Sequence, residues 1–451
     1  MKRLIILYVL IIPAFLFGQK DTPRLIEPSL IKADIDTLIS KMKDFHPTFF
    51  RYYQENNIRS KIDSIKKTIY SPMSSLDFFR IMQPIISIDG HTTLMYTGGI
   101  YPNIDNPFFP FKIVIYNNKM YVKENLSDNK AISKGSIIKK INGIPVGTII
   151  KNLVRYIPGE KESYKIKSLE KEFHIYYGLV YGSFPEFNVT INKAEYKIKG
   201  AKRNDFKEPP KPKFKLSFYD DNIAYIYKTS FRPSKKFLGF MDSAFKVINE
   251  KQIKYLIIDD LRGGGVTDIA DSLMSYFAKE PYCMFEKRMT KISTLTEDFI
   301  KNEKSDGYIQ GDYFIQRFGT YNPRFKRFKA TTYILTGPLS YSTATCFAAA
   351  GKYYHNAIIV GQESGQPLLS NGSLDRFVLP NTGLTCFTSL AIYYMPGNNN
   401  NTVRGVIPDY EVTPTLKDLL NDKNYALEYT LKLISENQAK QKFIIEKTGS
   451  N

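Results

Sequence analysis

The stretch "GPLSYSTATCFAAAGKYY" (Gly337–Tyr354) places Ser340 and Ser342 between an apolar run and an alanine-rich one. Tyr333, Ile334 and Leu335 read as the end of a buried strand, Gly337-Pro338 turns the chain, and Ala344, Phe347, Ala348 and Gly351 share one helical face. Ser342 therefore lies at the turn into a helix, where two readings use the same geometry. As an N-cap, its hydroxyl accepts a bond from an amide two or three residues on. As a nucleophile, it stands beside free amides at the positive helix end, which stabilise negative charge developing on a substrate oxygen. These residues by themselves leave both readings open.

In "YLIIDDLRGGGVTDIADSL" an apolar strand runs into Gly263, Gly264 and Gly265 before another helix. Such a loop lets backbone amides approach a ligand closely. The spacing and the lysine of a phosphate-binding P-loop are absent, so an anion or oxyanion site and a plain turn are the two readings. A hydrolytic serine also needs a base. Lys352, ten residues along the same helix from Ser342, sits roughly 15 Å up the axis and cannot serve. Of the four histidines, His91 in "IISIDGHTTLMY" follows an Asp89-Gly90 turn that would present its ring, although an ordinary exposed loop histidine has the same signature. His46, before Pro47, reads as structural, and His174 and His355 have no motif around them.

The elements that must position these groups change character along the chain. Residues from about 24 to 84 alternate apolar and charged positions at helical spacing. From about 107 to 198 short β-rich runs follow, with turns at Lys134-Gly135 and Asn142-Gly143. Pro209, Pro210 and Pro212 make "AKRNDFKEPPKPKFK" a linker. Beyond it, "NIAYIYKTSF", "KYLIIDD", "TTYILTG" and "AIIVGQ" alternate with helical stretches, which predicts an α/β core with largely parallel strands, closed by the amphipathic helix "YALEYTLKLISEN".

At 451 residues the chain exceeds one ordinary core, and two or three domains are expected. "MKRLIILYVLIIPAFLFGQK" pairs Lys2 and Arg3 with an apolar run to Phe17, shorter than the roughly 20 residues of a spanning helix. It reads as a signal peptide cut at Gly18/Gln19, which predicts an exported protein, periplasmic or secreted, with no transmembrane anchor after cleavage. Cys283, Cys346 and Cys386 read as buried thiols, although one bridge after export stays open. The net charge of +19 is spread along the chain and accompanies no nucleic-acid module, so no nucleic-acid partner is expected.

Taken together, these pieces resemble the C-terminal-processing and tricorn-core serine peptidases. "IAYIYKTSF", "IIDDLRGGG", "YILTGPLSYSTATCFAAAGKYYHNAIIVGQESG", "FVLPNTGLTCF" and "GVIPDYEV" stand in that family's order, "ISKGSIIKKINGIPV" is similar to its PDZ-like insert, and "ISIDGHTTL" is similar to the histidine motif of the tricorn-like branch. The resemblance implies a ClpP/crotonase-like α/β catalytic core at 217–451, after a signal peptide at 1–18, an N-terminal helical region at 19–106, a PDZ-like β-rich domain at 107–200 and a linker at 201–216. It implies Ser342 as nucleophile, His91 as base, and an oxyanion hole from the amides of Gly264, Gly265 and Thr343. Its substrate would be a polypeptide, cut at internal bonds or near the carboxyl end, with no metal or organic cofactor. The processing branch places a lysine base where Pro367 stands, so the resemblance is to the histidine-using branch.

Three departures accompany it: Thr345 replaces a glutamate after the serine, the glycine loop is about a residue shorter, and Thr402 stands for a glutamate before "GVIPD". The group orienting His91 is therefore open, with Asp89 and Glu363 as candidates. The rival reading is a catalytically inactive relative that binds peptides through the PDZ-like groove. If the protein is an enzyme, the insert is expected to serve affinity more than chemistry, and activity is expected to rise through about pH 6 to 7 as a histidine base loses its proton.

Overall fold

Leu256, Ile257 and Ile258 form a continuous apolar run because both faces of their strand are covered. In the computed structural model, which describes residues 24–448 apart from 53, 96–106, 304–305 and 324–327, Leu256 and Ile258 join one hydrophobic cluster and Ile257 another. The signal-peptide reading at 1–18 lies outside the described residues. The central sheet runs Tyr410–Glu411, Ile358–Gly361, Thr331–Thr336, Tyr255–Asp259, Ile223–Lys228, Phe214–Tyr219. Its neighbours pair in parallel except at the last pair. Helices Lys235–Glu250, Thr267–Phe277 and Thr343–Tyr353 cover one face, and Tyr425–Thr448 packs Ala426, Leu427 and Ile434 on the other. The core is therefore the expected α/β arrangement. Its antiparallel edge strand begins at Phe214, inside the stretch read as linker.

A second sheet carries the opposite wall of the site. Thr385–Tyr394 pairs with Leu369–Val378 on one side and with Thr93–Met95 and Lys287–Lys291 on the other, all antiparallel. Phe377, Leu379, Cys386 and Leu390 pack against Ile35, Leu38, Met42, Phe78 and Met82 of the N-terminal helices. Because Thr93–Met95 follows His91 directly, this pairing anchors the base-bearing turn to the core. The stretch 107–200 makes its own antiparallel sheet, with helices Val146–Leu153 and Glu162–Tyr181 and a turn in which Asn142 and Gly143 both take positive φ. It has its own apolar cluster, while its Tyr156, Ile175 and Leu179 join the cluster of the N-terminal helices. All three cysteines are free and buried. Among the described residues no helix is long and apolar enough to cross a membrane.

Two short strands, Arg262–Gly263 and Leu339–Ser340, pair in parallel and bring the glycine loop against the turn before Ser342. Beneath them Lys228 and Asp260, both fully buried, form an ion pair, with the Lys228 ammonium 3.7 Å from the centre of the Phe231 ring. Burial pushes the Asp260 carboxyl up to about 7, against the pull of Lys228. Removing one partner of such a pair strands the other, so Lys228→Ala is expected to cost about 3 kcal/mol in urea unfolding.

Candidate active site

The strand Leu339–Ser340 ends one residue before Tyr341, and the helix starts at Thr343. Ser342 joins them with φ 57° and ψ −126°, a conformation that non-glycine residues rarely adopt, and its side chain makes no capping bond. The cap reading thus falls, and the hydroxyl points elsewhere. Ser342 Oγ lies 3.2 Å from His91 Nε2. Gly264 backs the serine so closely that a Cβ there would stand 3.0 Å from Ser342 Cβ and 2.9 Å from the Tyr341 carbonyl oxygen. Only glycine fits that contact.

The peptide groups around the serine are fixed by bonds to their other ends. The Gly264 carbonyl accepts from the Phe231 amide, and the Gly265 carbonyl accepts from Thr343 Oγ1 at 2.8 Å. The Ser342 amide donates to Gln366 Oε1 at 2.7 Å and is thereby occupied. Gln366 in turn donates to the Asn371 carbonyl at 3.1 Å, tying the turn to the facing strand. Ser340, by contrast, is fully buried, donates to the Asp260 carbonyl and accepts from the Gly337 amide. Thr345 donates to the Ser340 carbonyl at 3.0 Å, so this departure from the family pattern serves the turn.

His91 is held by its backbone. Its amide donates to Asp89 Oδ1 at 2.9 Å, closing the Asp89-Gly90 turn. Asp89 is fully buried and also accepts from His46 Nε2 at 2.8 Å, Asn371 Nδ2 at 3.1 Å and Ser389 Oγ at 3.1 Å. The Thr48 amide donates to His46 Nδ1, which leaves the His46 proton on Nε2, directed at Asp89. Burial by itself would raise the Asp89 carboxyl, but the His46 bond and the nearby histidines hold it well below the usual carboxylate range. Asp89 thus orients the turn and not the ring, for its bond to His91 is to the backbone amide and to neither ring nitrogen. Burial lowers the His91 pKa below its ordinary value, opposed by the Asp89 charge and the Asn371 backbone.

Glu363, the other candidate, is engaged elsewhere. It pairs with Lys161 and accepts from Arg404 Nε at 3.1 Å and from the Gly405 amide at 2.7 Å. His46, Gln366 and Asn371 were not singled out as site residues by the sequence. A histidine before proline and single amides in a loop carry no spacing signal, and each acts across a long sequence separation. The cleft at Ser342 and His91 holds about 330 Å3, with Val266, Cys346, Leu374, Tyr393 and Met395 on its wall and, among the described residues, no carboxylate, lysine or arginine in the lining. A hydroxyl facing an imidazole, beside a glycine loop and a helix start, is an arrangement suited to nucleophilic attack on a carbonyl.

Among solved structures, the chain is similar to mature CPAF complexed with lactacystin, with a TM-score of 0.65 and 13% identity over 90% of this chain and 97% of that one. A second structure of mature CPAF gives 0.62 and 13%, covering 90% and 96%. At that identity the likeness is one of fold. No curated protein matches the chain. Residues 222–412 match the profile of peptidase family S41, a stretch that contains the glycine loop and Ser342 while His91 comes from the region before it. With the serine and the glycine loop inside that stretch, residues 222–412 form a peptidase family S41 domain, a family whose chemistry is that of serine-type peptidases.

Proposed function

We propose that the protein is an exported serine peptidase that cuts polypeptides through an acyl-enzyme, with Ser342 as nucleophile and His91 as base. The observation that carries this is the 3.2 Å approach of His91 Nε2 to an uncapped Ser342 hydroxyl. His91 Nε2 takes the Ser342 proton as Oγ attacks the peptide carbonyl, then returns it to the leaving amine. The amides of Gly264, Gly265 and Thr343 receive the oxyanion, the Ser342 amide being committed to Gln366. Water, deprotonated by the same imidazole, releases the acyl group. The Asp89 charge favours the imidazolium in the transition state, in place of a direct bond to Nδ1. The 107–200 insert, as a PDZ-like domain, would receive the extended peptide by strand addition.

The uncharged cleft sets an expectation for specificity. Substrates with an uncharged side chain next to the scissile bond should exceed their Lys or Glu counterparts by about 10- to 100-fold in kcat/KM, since a charge entering this wall loses water without gaining a partner. For export, sequencing of the mature amino terminus should begin at Gln19. The central test is labelling of the purified protein with a fluorophosphonate and mapping of the adduct by mass spectrometry. The adduct is expected on Ser342. A folded protein that binds peptides yet takes no label and cleaves nothing would instead be the non-catalytic relative.

A further inference from the structure

The residue before the nucleophile and the residue before the base meet at one phenol. Tyr341 is buried, and its hydroxyl accepts from the Gly90 amide at 2.8 Å while donating to Glu160 Oε2 at 2.6 Å. The contact with Gly90 is so close that a Cβ there would fall 2.4 to 2.7 Å from the Tyr341 ring and hydroxyl. Tyr164 packs on the phenol from the other side, with ring centres 4.4 Å apart. Tyr341 thus ties the turn carrying Ser342 to the turn carrying His91, across 251 residues of sequence.

Glu160 belongs to neither turn. It comes from the 107–200 insert, in the loop between Val154–Tyr156 and the helix starting at Glu162. The adjacent Lys161 pairs with Glu363, so the loop is clamped to the core at two consecutive residues. A phenol has one proton to give. While Glu160 takes it, the lone pairs of the oxygen stay free for the Gly90 amide; without Glu160 that proton lies buried with no acceptor, and the hydroxyl has no fixed direction. Glu160 Oε1 is buried and unpartnered. Burial, reinforced by the Asp89 charge, pushes the carboxyl up to about 8. A glutamine side chain keeps an oxygen that can accept from the Tyr341 hydroxyl.

We propose that Glu160 is a positioning residue of the peptidase reaction, holding Tyr341 so that the insert fixes the distance between Ser342 and His91. This rests on the serine-peptidase reading and changes the expectation that the insert serves affinity more than chemistry. A misplacement of about 1 Å between reacting groups costs on the order of 100-fold. Glu160→Ala is therefore expected to lower kcat about 10- to 100-fold on both a short activated ester and a long polypeptide, with KM changed less than about twofold. Glu160→Gln should stay within about threefold of wild type, and Tyr341→Phe should fall as far as Glu160→Ala, with the double variant no worse than Tyr341→Phe alone.

Hydrogen exchange gives a readout that does not depend on turnover: the peptides containing Gly90 and Ser342 should exchange faster in Glu160→Ala and not in Glu160→Gln. Unchanged exchange in Glu160→Ala, additive losses in the double variant, a rise in KM for the long substrate alone, or a Glu160→Gln as impaired as Glu160→Ala would each overturn the proposal. Wild-type protein without label or turnover would sink the serine-peptidase reading, and the exchange comparison would still decide the role of Glu160 in joining the two turns.

Discussion

Ser342→Ala is expected to abolish fluorophosphonate labelling and to lower turnover of an unstructured polypeptide by roughly 10^4- to 10^6-fold, as loss of the nucleophile does in serine hydrolases. Among the described residues the hydroxyl bonds to His91 and not to the helix it precedes, so its loss removes little that holds the fold. An alanine there inherits the same positive φ, and unfolding midpoints should barely move. Ser340→Ala is the control that separates chemistry from structure two residues away. It deletes the hydroxyl that joins the Asp260 carbonyl to the Gly337 amide in a fully buried setting, which is expected to cost about 1–3 kcal/mol. Labelling of the folded fraction should remain. If Ser342→Ala still takes the label while Ser340→Ala loses it, the nucleophile has been misassigned.

His91→Ala should reduce kcat/KM by about 10^4-fold, with peptide binding intact. The pH profile gives the sharper discrimination. The base must be neutral to accept a proton, so activity rises with pH through its pKa. An unperturbed histidine would place that rise at about pH 6.5. In this protein burial disfavours the imidazolium and lowers the pKa further. The acidic limb of kcat/KM is thus expected below about pH 6.5, shifted to the acid side of the unperturbed histidine on which the sequence-based expectation rests. Lysine rivals are poorly placed. Pro367 occupies the lysine position of the other branch, Lys352 is bound to the Ile407 carbonyl and to Asp409, and Lys228 is buried against Asp260. A limb centred above pH 8, or a His91→Ala variant with near-wild-type turnover, would remove His91 from the mechanism.

Much of this arrangement was legible in local pattern. Continuous apolar runs such as Tyr255–Ile258 mark strands covered on both faces, because a parallel strand has no solvent side on which to alternate. The glycine run, the small-residue helix face after Ser342 and the Asp89-Gly90 turn are likewise short-range signals, set by how neighbours a few positions apart pack or bond. What those signals could not decide was the role of each group. Cap and nucleophile share the same residues at a helix start, and the choice lies in a backbone dihedral and in a bond to His91, 251 positions away. Asp89 and Glu363 were equal candidates for orienting the base; one is surrounded by donors from Thr48's neighbour His46, Asn371 and Ser389, and the other is drawn off by Lys161 and Arg404. No spacing rule links such positions, since their approach depends on the packing of the N-terminal helices, the second sheet and the insert against one core. The sequence by itself determined the strands, turns and chemical types available, through interactions that reach only a few residues. Which buried carboxylate meets which histidine, and that Tyr341 spans both turns under the hold of Glu160, was decided by tertiary packing alone, because hydrogen bonds act over about 3 Å of space whatever the distance along the chain.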